Sequence, residues 1–144
     1  MPRPLSFTHD KLEAIVNRLK TGEPLAAICR DDGMPNDDTV RDWMERDDIG
    51  PEVSRAIARA REQGEDAIAL QALEIIDEPP RMEETKFGEK VDSGDVALRR
   101  IRFEGRLKLL AKWNPKRWGD RQQIEHTGKV TLESLVAGHE PEAE

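Results

Sequence analysis

Apolar residues recur at helical spacing through the first fifty positions. Leu12, Ile15, Val16 and Leu19 form one face behind Thr8, which can cap a helix, and ahead of Gly22, which ends it. Pro24 suits a first helical position, Leu25, Ala26, Ile28 and Cys29 give a second helix of about two turns, and Gly33 with Pro35 stops it. Asn36, Asp37 or Asp38 can cap a third helix that turns Val40, Trp43 and Met44 inward and leaves Thr39, Arg41, Asp42, Glu45 and Arg46 outside. These three short helices predict a trihelical unit over residues 1–49.

From Gly50 and Pro51 the chain runs with one breaker, Gly64, to Asp77, before Pro79 and Pro80 end it. Ala56, Ala60 and Gly64 recur every fourth position beside Val53 and Ile57, a pattern that lets another helix approach closely, and Ile68, Leu73 and Ile76 continue the contact. The polar stretch from Arg81 to Asp92 reads as a loop or hairpin tip and predicts no secondary structure. Ser93 can cap a last helix that reaches about Trp113 and stops before Pro115. That helix is apolar on two sides: Val96, Phe103, Leu107 and Leu110 on one, Leu98, Ile101 and Leu109 on the other, with Gly105 among them. Two faces need two partners, the preceding long helix and a second copy of the chain. Val53, Ile57, Ala60, Gly64, Leu98, Ile101 and Leu109 are therefore the candidate oligomerisation residues. Residues 124–127 and 129–132, alternating around Gly128, predict a short strand pair, and the tail from His139 to Glu144 is expected to be disordered.

The fold class that follows is mainly α: an N-terminal helix-turn-helix over residues 1–49, a central antiparallel helical oligomerisation hairpin over 50–121, and a short C-terminal β segment with a tail over 122–144. Composition strengthens the case for assembly. Charged residues make up 37% of the 144, tyrosine is absent, and three phenylalanines with three tryptophans cannot fill a large single core. A chain this polar gains the missing burial against copies of itself.

Charge changes the picture further. The net charge is −7, but residues 93–121 alone carry +6, while residues 1–50, 51–92 and 122–144 carry −4, −5 and −4. A polyanionic partner must therefore meet particular parts of the chain. In the helix-turn-helix, helix three offers Asn36, Thr39, Arg41 and Arg46 to a DNA groove, with Lys11 and Arg18 on helix one. Asp37, Asp38, Asp42 and Glu45 stand among those donors and repel phosphate, so one copy should bind DNA weakly unless linked copies add avidity. The alternative is a trihelical packing module without DNA. Arg99, Arg102 and Arg106 form a basic stripe that either neutralises Glu62, Glu65 and Asp66 on the long helix or meets phosphates. Trp113 and Trp118 either pack at a helix end or stack on bases.

Enzyme chemistry has no foothold, since there is no phosphate-cradling glycine loop and no nucleophile motif. The pairs Asp31–Asp32, Asp37–Asp38 and Asp47–Asp48 fall where acids cap or solvate helix ends. Cys29 is the single cysteine, and His9, His126 and His139 lack zinc-ligand spacing. No cofactor or metal is expected. No apolar run reaches the roughly 20 residues that span a bilayer, so no membrane partner is expected either, and the host cell cytoplasm is the expected location.

Two segments resemble the phage small terminase family. One runs from Leu25-Ala26-Ala27-Ile28-Cys29 through Met34-Pro35 to Thr39-Val40-Arg41-Asp42-Trp43-Met44. The other, more specific, is Lys112-Trp113-Asn114-Pro115-Lys116-Arg117-Trp118-Gly119-Asp120 continuing through Glu125-His126-Thr127-Gly128. The resemblance spans about residues 8–136. It implies a homo-oligomeric ring around a channel, with N-terminal units outside and C-terminal strands gathered into a small barrel. It further implies recognition of double-stranded viral concatemeric DNA, and recruitment and regulation of a large terminase subunit that holds the ATPase and nuclease. The acidic third helix departs from that pattern. The rivals are a dimeric helix-turn-helix transcriptional regulator and an assembly protein with no DNA role.

Overall fold

A computed structural model of the chain describes residues 6–120. The elements are α1 (His9–Leu19), α2 (Leu25–Ile28), α3 (Asp37–Glu45), α4 (Gly50–Asp77), β1 (Met82–Thr85), β2 (Gly88–Val91), α5 (Ser93–Trp113) and α6 (Pro115–Trp118). The strand pair expected after residue 122 lies outside the described residues.

Local chemistry sets most helix ends. Thr8 accepts a hydrogen bond from the Lys11 amide at 3.2 Å, and Asn36 Oδ1 accepts from the Thr39 amide at 2.7 Å, so each satisfies a donor that the helix start leaves open. Helix α2 is one turn rather than two, and Pro24 stands just before it in extended backbone. Asp92, not Ser93, caps α5 through bonds to the Gly94 and Asp95 amides.

The core joins four helices. Leu12, Ile15 and Leu19 of α1, Leu25 and Ile28 of α2, and Val40 and Trp43 of α3 are buried together with Val53, Ile57 and Ala60 of α4. Phe7 closes one end, edge-on to Trp43 at 5.2 Å. The first half of α4 therefore completes the trihelical unit, and no gap between cores falls at residues 49–50. Gly64 brings the same helix against the end of α1: a Cβ there would stand 2.2 Å from the Leu19 carbonyl oxygen.

This corrects part of the sequence reading. Val53, Ile57, Ala60 and Gly64, expected at a contact between copies, are buried inside the chain. The small-residue spacing was a sound sign of close helix packing, but the helix that approaches is the chain's own α1. Thr39 is also corrected. It faces inward at 5% exposed and is unavailable to a groove.

Helices α4 and α5 pack antiparallel. Arg99 reaches Glu78 and Arg106 reaches Gln71, so positions rise along one helix as they fall along the other, and Arg117 of α6 continues the trend to Asp66. The segment between them, expected to lack secondary structure, is a β-hairpin with the register Met82↔Val91 to Thr85↔Gly88. Both strands are almost wholly exposed, so no buried alternation marks them in the sequence. A Glu83–Lys90 pair at 2.9 Å crosses between the strands. Beyond α5, Pro115 opens a further one-turn helix where only a stop was expected.

Candidate nucleic-acid interface

Helix α3 presents Asp38, Arg41, Asp42, Glu45 and the following Arg46 to solvent, because Val40 and Trp43 occupy its inner face. Each of its basic side chains already has an acidic neighbour. Arg41 donates to Asp37 at 2.8 Å and stands 3.9 Å from Asp38. Arg46 grips Asp48 through Nε at 2.9 Å and through Nη2. That grip holds the Asp48 carboxyl below the usual aspartate range and raises the Arg46 guanidinium. Asn36 is exposed, but its side-chain oxygen is committed to capping the helix.

The two candidates on α1 are also engaged. Lys11 Nζ donates to the Ser6 carbonyl at 2.9 Å. Arg18 binds Glu23 and Asp31 together, tying the end of α1 to the turns that flank α2, and both bonds push its pKa upward. Those bonds brace the unit. Sequence alone could not separate bracing from binding, since Glu23 and Asp31 become neighbours of Arg18 only when the helices fold.

Two arginines that the sequence reading passed over stand nearby. Arg55 and Arg59 are exposed on α4, four residues apart, and line a shallow strip with Asp48, Pro51, Glu52 and Ala56. Neither has a carboxylate within ion-pair distance among the described residues. Their i, i+4 spacing places both on one face of α4.

The stripe on α5 divides. Arg99 pairs with Asp95 at 2.8 Å and Glu78 at 3.5 Å, and Arg106 donates to Gln71 and to the Arg102 carbonyl. None of the three meets the expected acids. Glu65 and Asp66 are taken instead by Arg117, together with Asn114 and Trp118. Trp118 is thus half-buried against α4 with its ring nitrogen bonded, whereas Trp113 remains exposed beside the groove between the trihelical unit and α5.

A second apolar surface remains on the hairpin of helices. On α4, Leu70, Leu73 and Ile76 lie opposite the buried face, with Asp66 and Asp77 beside them. On α5, Leu98, Ile101 and Leu109 are exposed, Ile101 by 67%, and at 100° per residue Arg102 and Lys112 flank them. Leu110, by contrast, is fully buried toward α4. Among the described residues no group of acidic, histidine or cysteine side chains is placed to hold a metal ion. No helix there is long and apolar enough to cross a membrane.

Comparison with known proteins agrees with this architecture. Residues 7–125 match the family described as "Bacteriophage Sf6, terminase small subunit-like". Crystal structures of three variants of the terminase small subunit gp1 of the bacterial virus Sf6 superpose on the chain. One is 28% identical with a TM-score of 0.57, covering 88% of this chain and 93% of that one. Another is 28% identical at a TM-score of 0.56 over the same shares, and a third is 27% identical at 0.55, covering 90% and 98%. No match was found among curated protein sequences. With the family match covering most of its length and the helical order shared, this chain belongs to the phage terminase small subunits of the Sf6-like family.

Proposed function

We propose that this protein works in phage DNA packaging as a non-catalytic ring that binds double-stranded viral concatemeric DNA and recruits and regulates the large terminase subunit in the host cytoplasm. The observation that carries the reading is the pair of unlike apolar stripes on the α4–α5 hairpin. The α4 stripe has Asp77 beside it, Asp66 being shared with Arg117, and the α5 stripe has Arg102 and Lys112. Two different, complementary patches on one chain favour a head-to-tail contact, which closes into a ring when the rotation allows, whereas a two-fold dimer would bury one patch against itself.

A ring also answers the weakness of the single DNA-facing unit. Arg41 and Arg46 share their charge with neighbouring acids, so one copy gains little from phosphate. Several copies on one DNA gain avidity of roughly 10²- to 10⁴-fold without any new contact. Arg55 and Arg59 add cations beside α3, and DNA lying across several units would meet them repeatedly.

Native mass spectrometry together with a salt titration of DNA binding tests the reading. The expected result is a closed oligomer larger than a dimer that binds duplex DNA and releases it steeply as salt rises. A dimer that prefers paired half-sites would instead indicate a helix-turn-helix regulator. A ring without salt-dependent DNA binding would indicate an assembly protein alone.

A further inference from the structure

Gly105 sits in the middle of α5, where a glycine weakens the helix because its backbone has more freedom to lose than that of alanine. The other glycines within helices have a reason inside the chain. A Cβ at Gly50 would stand 2.4 Å from the Met44 carbonyl oxygen, one at Gly64 would stand 2.2 Å from that of Leu19, and one at Gly94 would stand 3.2 Å from the capping Asp92 carboxylate. At Gly105 a Cβ would meet nothing within 4 Å, and the backbone there is not left-handed. Among the described residues, then, nothing requires the missing side chain.

The position of this glycine gives the gap a use. Gly105 falls between Ile101 and Leu109 on the exposed stripe of α5, and it helps line an open groove of about 460 Å³ together with Ile68, Ile101, Arg102 and Leu109. The missing Cβ makes a notch at the centre of an apolar strip, where a side chain of another helix can come close to the backbone. Arg102 and Lys112 flank the strip, and among the described residues neither has a carboxylate within ion-pair distance. The α4 stripe has the opposite character. Leu73 is the middle member of Leu70, Leu73 and Ile76, and Glu74 and Asp77 stand within about one turn of it, also without an ion-pair partner among the described residues. Within one chain the two stripes cannot meet, because α4 and α5 already pack on each other through other faces, that of Leu110 among them.

We propose that Gly105 is the receiving notch of the contact between copies, and that Leu73 of a second copy seats in it, with Glu74 and Asp77 of that copy beside Arg102 and Lys112. The inference rests on the proposed ring and specifies the register of its contact. A leucine over a bare stretch of backbone gains close packing, and the acids and bases at the rim oppose a slip of one helix along the other.

The test uses the full chain with Gly105→Met, Leu73→Ala and the two together, each followed by native mass spectrometry over a concentration series, with circular dichroism and DNA binding alongside. Methionine is a better helix former than glycine and has open space in the single chain, so helical content is expected to hold. Gly105→Met is expected to raise the concentration needed for assembly by about tenfold or more, and Leu73→Ala to raise it as well. The double variant is expected to recover most of the Gly105→Met loss, because the methionine fills the space that the leucine leaves. Gly105→Ala, the smallest addition, is expected to weaken assembly in the same direction, and it decides the matter if the methionine variant loses helical content. Assembly of the folded Gly105 variants at the wild-type concentration overturns the notch and leaves the ring reading in place. A double variant no better than Gly105→Met alone overturns the seating of Leu73. Intact assembly with weakened DNA binding also overturns the proposal and assigns the groove to phosphate. An unmodified chain that stays monomeric removes the ring reading, and the notch with it.

Discussion

A methyl group at residue 64 would have to share space with the backbone carbonyl of Leu19, and neither α1 nor α4 can shift without disturbing Ile15, Ile57 and Ala60. Gly64→Ala is therefore expected to cost about 1–3 kcal/mol, although alanine is the better helix former. Denaturant midpoints at one fixed protein concentration measure it, and a stabilised variant would contradict the packing. At Asp48 the effect is electrostatic. Arg46 lowers its pKa below the usual 3.8, so the contribution is present above that value and is lost as pH falls through the lower folded value. Asp95 behaves alike, held down chiefly by the Arg81 amide. Melting temperature should hold steady from neutrality to about pH 5 and fall below about pH 4, with a shallower fall in Asp48→Asn. Equal slopes would show that the Arg46 pair contributes nothing. Thr39 marks where single residues were not legible. Its type fits either face of a helix, and its burial depends on where α1 and α4 lie.

At the scale of elements, α3 carries a charge pattern that works against the recognition role proposed for it. Asp37 and Asp48 each occupy an arginine that the proposed DNA contact would use. Asp37→Asn with Asp48→Asn is expected to tighten duplex DNA binding at low salt and to steepen the dependence of log affinity on log salt by about one to two. An unchanged slope would place DNA away from α3. The helices themselves were legible, because caps at Thr8 and Asn36 and apolar spacing act over a few residues. The 82–91 hairpin was not. Its strands bury no face, and the bonds that fix its turn, from Thr85 to the Gly88 carbonyl and from the Phe87 amide to Thr85, leave no periodic trace.

For the whole molecule, the decisive surface is the exposed half of the α4–α5 hairpin. Ile101→Glu puts a charge on the most exposed member of the α5 stripe without entering the α4 contact made by Leu110. The expected outcome is a smaller species by native mass, helical content unchanged by circular dichroism, and DNA affinity lowered by roughly 10²- to 10⁴-fold as avidity is lost. A variant of full assembly mass would show that this stripe lies outside the contact between copies. Apolar spacing alone places Val53, Ile57, Ala60 and Gly64 at that contact, yet they are buried inside the chain, whereas Leu98, Ile101 and Leu109 lie on an open face. The difference is one of phase: α4 has apolar residues around much of its circumference, and only its neighbours determine which arc is spent inside the chain.

Sequence by itself determined the helical class, the order of the first five helices, the breaks at Gly22, Pro35 and Pro115, and the family resemblance carried by residues 25–44 and 112–128. All of these follow from interactions between residues close along the chain, where spacing and caps suffice. Tertiary structure decided which cations remain available, since Arg18 finds Asp31 and Arg117 finds Asp66 only after distant segments meet. It also decided that the basic end of α5 reaches Glu65 through Asn114, Arg117 and Trp118 rather than through the Arg99 stripe. Electrostatic and packing partners are chosen by distance in space, and a linear pattern does not contain that distance.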